Sequence, residues 1–240
     1  NEALALLGRP LLEVPNFAPI IQAQGKTPSA PFDPPPVLDG RIDPADEWSG
    51  QGGVVFDQDS SGVMANADDD LSEIYYGYTA TDFYVGFRTN EDLTAKLGSN
   101  YWIGIYLSQK RILDPDAGTA SEEPGNLTTV GGRELGFRDP SGATWLVQLD
   151  FRGDAMAASL LKADGQGGWN PATGAVATGG PGTGGRIVEL RIPFSALMQP
   201  YGDPLEFLLT AVQNDVEIDI APNIGGYQVF QDVTALMYVT

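Results

Sequence analysis

The sequence predicts an all-β protein: a β-sandwich of jelly-roll or immunoglobulin-like topology, preceded by an N-terminal arm. Three observations carry this. Residues 74–79 and 83–88 are two runs of aromatic and β-branched strand formers joined by Ala80-Thr81-Asp82, which reads as a β-hairpin. Residues 101–107 alternate, with Tyr101, Ile103, Ile105 and Leu107 on one face and Trp102, Gly104 and Tyr106 on the other. The 240-residue chain also holds 30 Gly and 18 Pro while amphipathic helical stretches are scarce, a composition suited to many strands joined by turns. That length is enough for one large core.

In chain order, residues 1–7 favour a short helix, stopped by Gly8 and Pro10. Residues 11–21 are apolar and broken by Pro15 and Pro19. Residues 22–36 are polar and Pro-rich, ending in Pro34-Pro35-Pro36, and read as an extended linker. The expected organisation is therefore an arm and linker over 1–36 and a β-domain over 37–240. The chain begins at Asn1, which reads as a processed product or a fragment of a larger protein. Trp48 is expected to cap the core. Residues 52–56 and 63–67 read as short strands flanking an acidic loop, and the main hairpin follows. Residues 91–100 are a polar excursion and 109–130 a long surface loop. Residues 133–137, 144–152 and 155–162 read as three antiparallel strands, with turns at Asp139-Pro140-Ser141-Gly142 and Arg152-Gly153-Asp154. Residues 164–185 are dominated by Gly. Residues 186–192 form a strong strand, 193–198 one helical turn, and 206–219 a strand region bulged at Asn214-Asp215. Residues 227–232 and 236–239 close the sheet.

The chemistry is bounded by charge and by missing residue types. A formal net charge of −19 disfavours nucleic acid and anionic membrane surfaces as partners and suits a cation. No apolar run approaches the ~20 residues of a membrane-spanning helix, so no membrane insertion is expected. With no His and no Cys, neither a Ser-His-Asp nor a Cys-His arrangement can be built. The glycine-rich stretch 179–185 lacks the Lys-Ser/Thr of a phosphate loop. The protein is expected not to be an enzyme.

Two sets of residues remain. In the first, Asp57, Asp59, Ser61, the Val63 carbonyl and Asp68 place oxygens around Gly62 at the spacing of a calcium loop, with Asp where a Glu is usual. The bound ion would be a structural Ca2+; the alternative is an acidic, solvated turn. Asp215, Glu217 and Asp219, alternating along one strand, are the second place for a cation. In the other set, Trp102, Trp169, Tyr76 and Tyr78 offer faces on which sugar rings stack, and Asn214 and Asp215 offer partners for hydroxyls. The strand aromatics Tyr75, Phe83, Phe87 and Trp145 are expected in the core.

Asp39-Gly40-Arg41-Ile42-Asp43, followed by Glu47-Trp48 and the hairpin arm Phe83-Tyr84-Val85-Gly86-Phe87-Arg88-Thr89, resembles the opening of family-nine carbohydrate-binding modules. With Gly62-Val63-Met64, Ile74-Tyr75-Tyr76-Gly77-Tyr78, the run from Arg186 to Phe194, and Val212-Gln213-Asn214-Asp215, the chain is similar to the C-terminal β-sandwich domain of bacterial family-fifty-seven glycoside hydrolases, the amylase and amylopullulanase group. In family-nine modules two Trp residues hold a terminal sugar. Trp102 lies within the strand rather than just before it, and the late partner has no counterpart near residues 225–227. The resemblance implies a non-catalytic module of a larger exported glycoside hydrolase, extracellular, periplasmic or on the cell surface. Its partners would be a polysaccharide or oligosaccharide, with an α-glucan as the substrate class, and a parent catalytic domain or surface protein. The alternative is a structural or interaction domain that binds no sugar; clustered solvent-facing aromatics favour the first, buried ones the second.

Overall fold

The computed structural model describes residues 28, 30–42, 47–48, 51–56, 71–109, 111–113, 120–122, 125–126, 129–130, 133–134, 137, 142–182, 184–199, 204–221 and 235–238. The hairpin forms as its residues dictate. Strands β2 (Leu71–Tyr78) and β3 (Asp82–Thr89), which follow β1 (Gly53–Phe56), pair antiparallel with Tyr78 opposite Phe83 and Tyr76 opposite Val85. The turn between β2 and β3 is closed by the Thr79 N–H donating to the Asp82 carbonyl at 2.9 Å, while Thr79 Oγ1 accepts the Asp82 N–H at 3.1 Å. This is the local side-chain bonding that makes Thr and Asp good turn residues.

The remaining strands are β4 (Tyr101–Gln109), β5 (Arg111–Leu113), β6 (Ala120–Glu122), β7 (Thr129–Val130), β8 (Arg133–Glu134), β9 (Trp145–Asp150), β10 (Ala157–Ala163), β11 (Trp169–Pro171), β12 (Ala177–Gly179), β13 (Ile187–Pro193), β14 (Pro204–Gln213), β15 (Val216–Ala221) and β16 (Ala235–Tyr238). With β1–β3 they build two large antiparallel sheets, one of five strands in the order β1-β2-β3-β13-β12 and one of seven in the order β11-β10-β9-β4-β14-β15 with β16 on the first half of β14, and two small two-stranded ones, β5-β6 and β7-β8. The protein is an all-β sandwich. Alternation sends Tyr76, Tyr78, Phe83, Val85, Phe87, Val188 and Leu190 of the smaller sheet inward to meet Ile103, Ile105, Leu107, Val147, Leu149, Phe207 and Leu209 of the larger. The Phe207 ring bridges the gap, 5.0 Å from Tyr76 and 5.4 Å from Phe83 between centroids. Each such fully buried side chain contributes about 1.5–3 kcal/mol.

Several elements differ from the sequence reading. The connection 109–130 carries the hairpin β5–β6, and the short strand at Arg133–Glu134 pairs with Thr129–Val130 rather than with β9. The glycine-rich stretch 164–185 supplies two strands, β11 on β10 and β12 on β13, because a sheet edge needs little side-chain packing from a strand of three residues. Asn214 and Asp215 do not bulge a strand. Both have positive φ, 52° and 62°, and form the two-residue turn between β14 and β15, a conformation that Asn and Asp tolerate. The bulge lies between Ala211 and Val212 instead.

The boundary at residue 36 also shifts. Phe32, assigned to the linker, is 5% exposed and packs with Ile42 and Trp48 against Tyr75, Tyr84 and Ile187 on the outer face of the five-stranded sheet. Its N–H donates to the Tyr78 carbonyl at 2.7 Å. Its ring lies so close to β2 that a Cβ on Gly77 would fall 2.4 Å from it, so any side chain at residue 77 would push the Phe32 ring out of its place. Proline spacing hid this anchor, because one buried aromatic is enough to dock an otherwise polar segment. Trp48 sits in the same layer, 1% exposed, as the sequence predicts for a core cap.

Beneath this strap lies a group the sequence does not flag. Glu189, on β13, is fully buried, and its carboxylate accepts the Gly40 N–H at 2.7 Å and the Trp48 indole N–H at 3.2 Å. Burial pushes its pKa up from 4.5 to about 7, against the lowering effect of those two bonds; Asp39 and Glu47 nearby push in the same direction as burial.

Candidate functional site

The outer face of the seven-stranded sheet gathers the aromatics that alternation on β4 predicts. The β4 register sets three rows across it. In the first, Leu161, Leu146, Tyr106 and Leu208 lie side by side. In the second, Ser159, Gln148, Gly104, Thr210 and Ile220 do. In the third, Ala157, Asp150, Trp102 and Val212 do. Tyr106, Leu146, Leu208, Val212 and Ile220 form a second apolar layer, with Trp102, Leu161 and Trp169 partly buried against it. The polar row thus runs between an aromatic row and a tryptophan.

Trp169 reaches this face through a built turn. Asp164 Oδ1 accepts the N–H groups of Gln166 and Gly168 at 2.7 and 2.8 Å. Asn126, 1% exposed, holds the turn from the other side: its Nδ2 donates to the Gly168 carbonyl at 2.5 Å and its Oδ1 accepts the Gly167 N–H at 2.9 Å. Asn126 is itself fixed by two backbone bonds with Ala143, at 2.8 and 3.0 Å. Trp169 then meets Tyr106 edge to face, with ring centroids 5.9 Å apart.

At the other end, Trp102 is flanked on β9 by Asp150, whose carboxylate accepts from Arg152 Nε at 2.9 Å on both oxygens and also from its terminal nitrogen. Those bonds to Arg152 hold the Asp150 carboxyl below its usual range, and Asp215 adds its negative charge beside the same guanidinium. Asn214 and Asp215 are exposed in the adjoining turn, with the Asn214 N–H donating to the Asn100 carbonyl at 2.8 Å. The fold therefore brings Trp102, Asn214 and Asp215 to one end of the face and Trp169 to the other.

It does not bring Tyr76 and Tyr78 there. They are 2% and 6% exposed, in the core between the sheets, because they share parity with Ile74 rather than with Tyr75. Burial pushes the Tyr76 hydroxyl up to about 12. Both are packing residues and offer no face to a sugar. Trp145 is buried as expected, with its indole N–H donating to Gln109 Oε1 at 2.5 Å.

The calcium loop, with Asp57, Asp59, Ser61, Val63 and Asp68, lies outside the described residues. The second acidic cluster is taken apart by the fold. Asp215 is exposed in its turn, whereas Asp219, past the bulge, is 1% exposed, and its carboxylate accepts the Leu71 N–H of the opposite sheet and the Ile220 N–H at 2.7 Å. Among the described residues no three carboxylates converge as a cation site.

Alternation on β4 already puts Tyr106 on the face of Trp102, whereas Gln148 and Thr210 join it only through the register of β9 and β14 on β4. Nothing in the sequence points to Asn126 or Glu189, whose side-chain bonds go to partners 41 or more and 141 or more residues away.

The fold and this face define an all-β sandwich with an aromatic and polar outer surface on its larger sheet. No protein-family model matches the chain, and no curated protein matches it in sequence. No helix among the described residues is long and apolar enough to cross a membrane.

Proposed function

We propose that the chain is a non-catalytic carbohydrate-binding module, directed to an α-glucan and serving a larger exported glycoside hydrolase, with the outer face of the seven-stranded sheet as its binding surface. The observation that carries this is the placement of Trp102 and Trp169 on one face, partly open, with the row Ser159-Gln148-Gly104-Thr210 between them. Aromatic rings stack on the apolar faces of sugar rings, and amide and hydroxyl side chains take the hydroxyls. The resemblance to family-nine modules and to the β-domain of family-fifty-seven glycoside hydrolases points the same way, as does a sequence with neither His nor Cys for catalysis. A structural Ca2+ in the loop 57–68 belongs to this reading.

The second reading, a structural domain that packs on a neighbour and binds no sugar, has its own support. The large apolar side chains classed as exposed among the described residues are Val37 and Val216, so both tryptophans are sunk into the layer beneath them. Affinity electrophoresis in amylopectin gels separates the two. The carbohydrate reading expects retardation of the intact chain, weakened by on the order of 1 kcal/mol or more in Trp102→Ala and Trp169→Ala, with folding retained. Unretarded wild-type protein would leave the packing domain.

A further inference from the structure

Trp102, Tyr106 and Trp169 form one line of rings on the outer face of the seven-stranded sheet. The Trp102 and Tyr106 rings close over Gly104 from its two sides: a Cβ there would lie 2.9 Å from Trp102 Cζ3 and 2.8 Å from Tyr106 Cε2. Leu146 Cδ1, at 3.2 Å, fills the rest of that space, so the surface between the rings is a floor and not a hole. Trp169 meets Tyr106 from the far side, with centroids 5.9 Å apart. The register on β10 gives the order. Ala157 lies in the row of Trp102, Leu161 in the row of Tyr106, and Ala163 is paired with Trp169. From Ala157 to Ala163 the strand advances about 20 Å, before the side chains lean inward. Tyr106, 1% exposed, stands between the two tryptophans, which are both half-buried.

This order decides how a ligand can be held. Two tryptophans sandwich one sugar only when their faces oppose each other across open space. Here Tyr106 takes the space between them, so both indoles are met from the solvent side, one after the other. A single sugar ring is no wider than an indole and cannot touch both. Polar groups lie beside the middle of the line, in the row of Gly104, where Gln148 is half-buried and Ser159 exposed. Both ends run out onto open surface. The Asn214-Asp215 turn is exposed at the Trp102 end, and Gln166 and Asn170 are exposed beside Trp169. We propose that this line recognises an internal run of several sugar units in a chain lying flat across the sheet, and not a chain end. This rests on the carbohydrate reading and deepens it by naming the length and the part of the polysaccharide that is bound. It also departs from the terminal-sugar sandwich of family-nine modules, which needs two opposed rings. No side chain has to move, since the floor and the rings already form the platform.

The test is isothermal titration calorimetry on the full chain with four probes. These are maltose, maltohexaose, maltohexaose reduced to its alditol, and a maltoheptaoside whose non-reducing end is blocked by a 4,6-O-ethylidene group. Wild type is expected to bind maltohexaose about fivefold or more tighter than maltose, the worth of a second stacked ring. The alditol and the blocked sugar are expected to bind as tightly as maltohexaose. Trp102→Ala and Trp169→Ala are each expected to remove the advantage of maltohexaose over maltose. The wild-type comparison stands even if a variant fails to fold. Equal affinity for maltose and maltohexaose would mean that one ring suffices and overturn the inference. Loss of binding on reduction or on blocking would mean that an end is read, and would overturn it too. In both cases the carbohydrate reading survives. If wild type binds none of the four probes, that reading falls and takes the inference with it.

Discussion

On the five-stranded sheet the outward residues Tyr75, Tyr84 and Ile187 are roofed by Phe32, Ile42 and Trp48, brought over from the segment that precedes the first strand. On the seven-stranded sheet the outward Trp102 and Trp169 stay partly open above Tyr106, Leu146 and Leu208. Both faces read alike along their strands, with apolar side chains at both parities. The difference is that one face is supplied with a cover that is also bonded in place, through Glu189 to Gly40 and Trp48, whereas the tryptophans of the other keep part of their surface in water. An outward aromatic therefore stays accessible only where the chain itself does not close over it.

The largest effect expected from breaking this contrast is on the covered side. Trp48→Ala removes a 1% exposed ring that meets Phe32 at 5.5 Å and Tyr75 at 6.3 Å, and it strips Glu189 of a donor. A loss of about 3–5 kcal/mol of stability is expected in denaturant titration, with sugar binding of the surviving folded fraction unchanged. If stability hardly moves, the strap is an ornament of the sheet rather than a roof.

Next comes the pH dependence of that roof. The folded pKa of Glu189, about 7, lies above its ordinary value of 4.5, so between these limits the folded chain holds a proton that the unfolded chain has released. The stabilisation is complete below about 4.5, declines as pH rises, and is lost once pH passes about 7. The span corresponds to on the order of 3 kcal/mol. Because the chain carries many other carboxylates, the informative quantity is the difference from Glu189→Gln, measured as midpoint against pH. Wild type should lose stability relative to the variant from pH 5 to pH 8. Parallel curves would mean that the strap's hydrogen bonds, not burial, govern this carboxylate.

The smallest effect sharpens the open side. Asn126→Ala leaves the Trp169 turn without the two side-chain bonds from Asn126 and keeps those from Asp164. Affinity for maltohexaose should fall as far as it does in Trp169→Ala, and the double variant should be no worse than either single one, since both act through the same ring. Additive losses would place Asn126's role elsewhere.

The hairpin β2–β3, the two faces of β4 and the burial of Phe83, Phe87 and Trp145 were legible in the sequence because alternation and turn chemistry are local: strand geometry fixes them within a few residues. The same locality is why Tyr76 and Tyr78 were misassigned to a sugar surface. Tyr75 and Tyr76 are adjacent aromatics, and which of them faces inward depends on which face of β2 meets Phe207 of the other sheet. The turn at Asn214-Asp215 has its own signal in two residues that accept positive φ, but choosing a turn over a bulge required knowing that β15 returns along β14.

By itself, then, the sequence determined the class of fold, the alternation that puts Trp102, Gly104 and Tyr106 together, and the exclusion of His- and Cys-based chemistry. Only the tertiary structure decided that Phe32 roofs a sheet instead of lying in a linker, that Asp219 bonds to Leu71 rather than joining Asp215, that Asn126 sets Trp169 beside Tyr106, and that Thr210 lies unpaired opposite Gly104. The physical reason is shared by all four. A side chain's surroundings are fixed by contacts between segments far apart in the chain, and local propensity carries no information about which distant segment arrives.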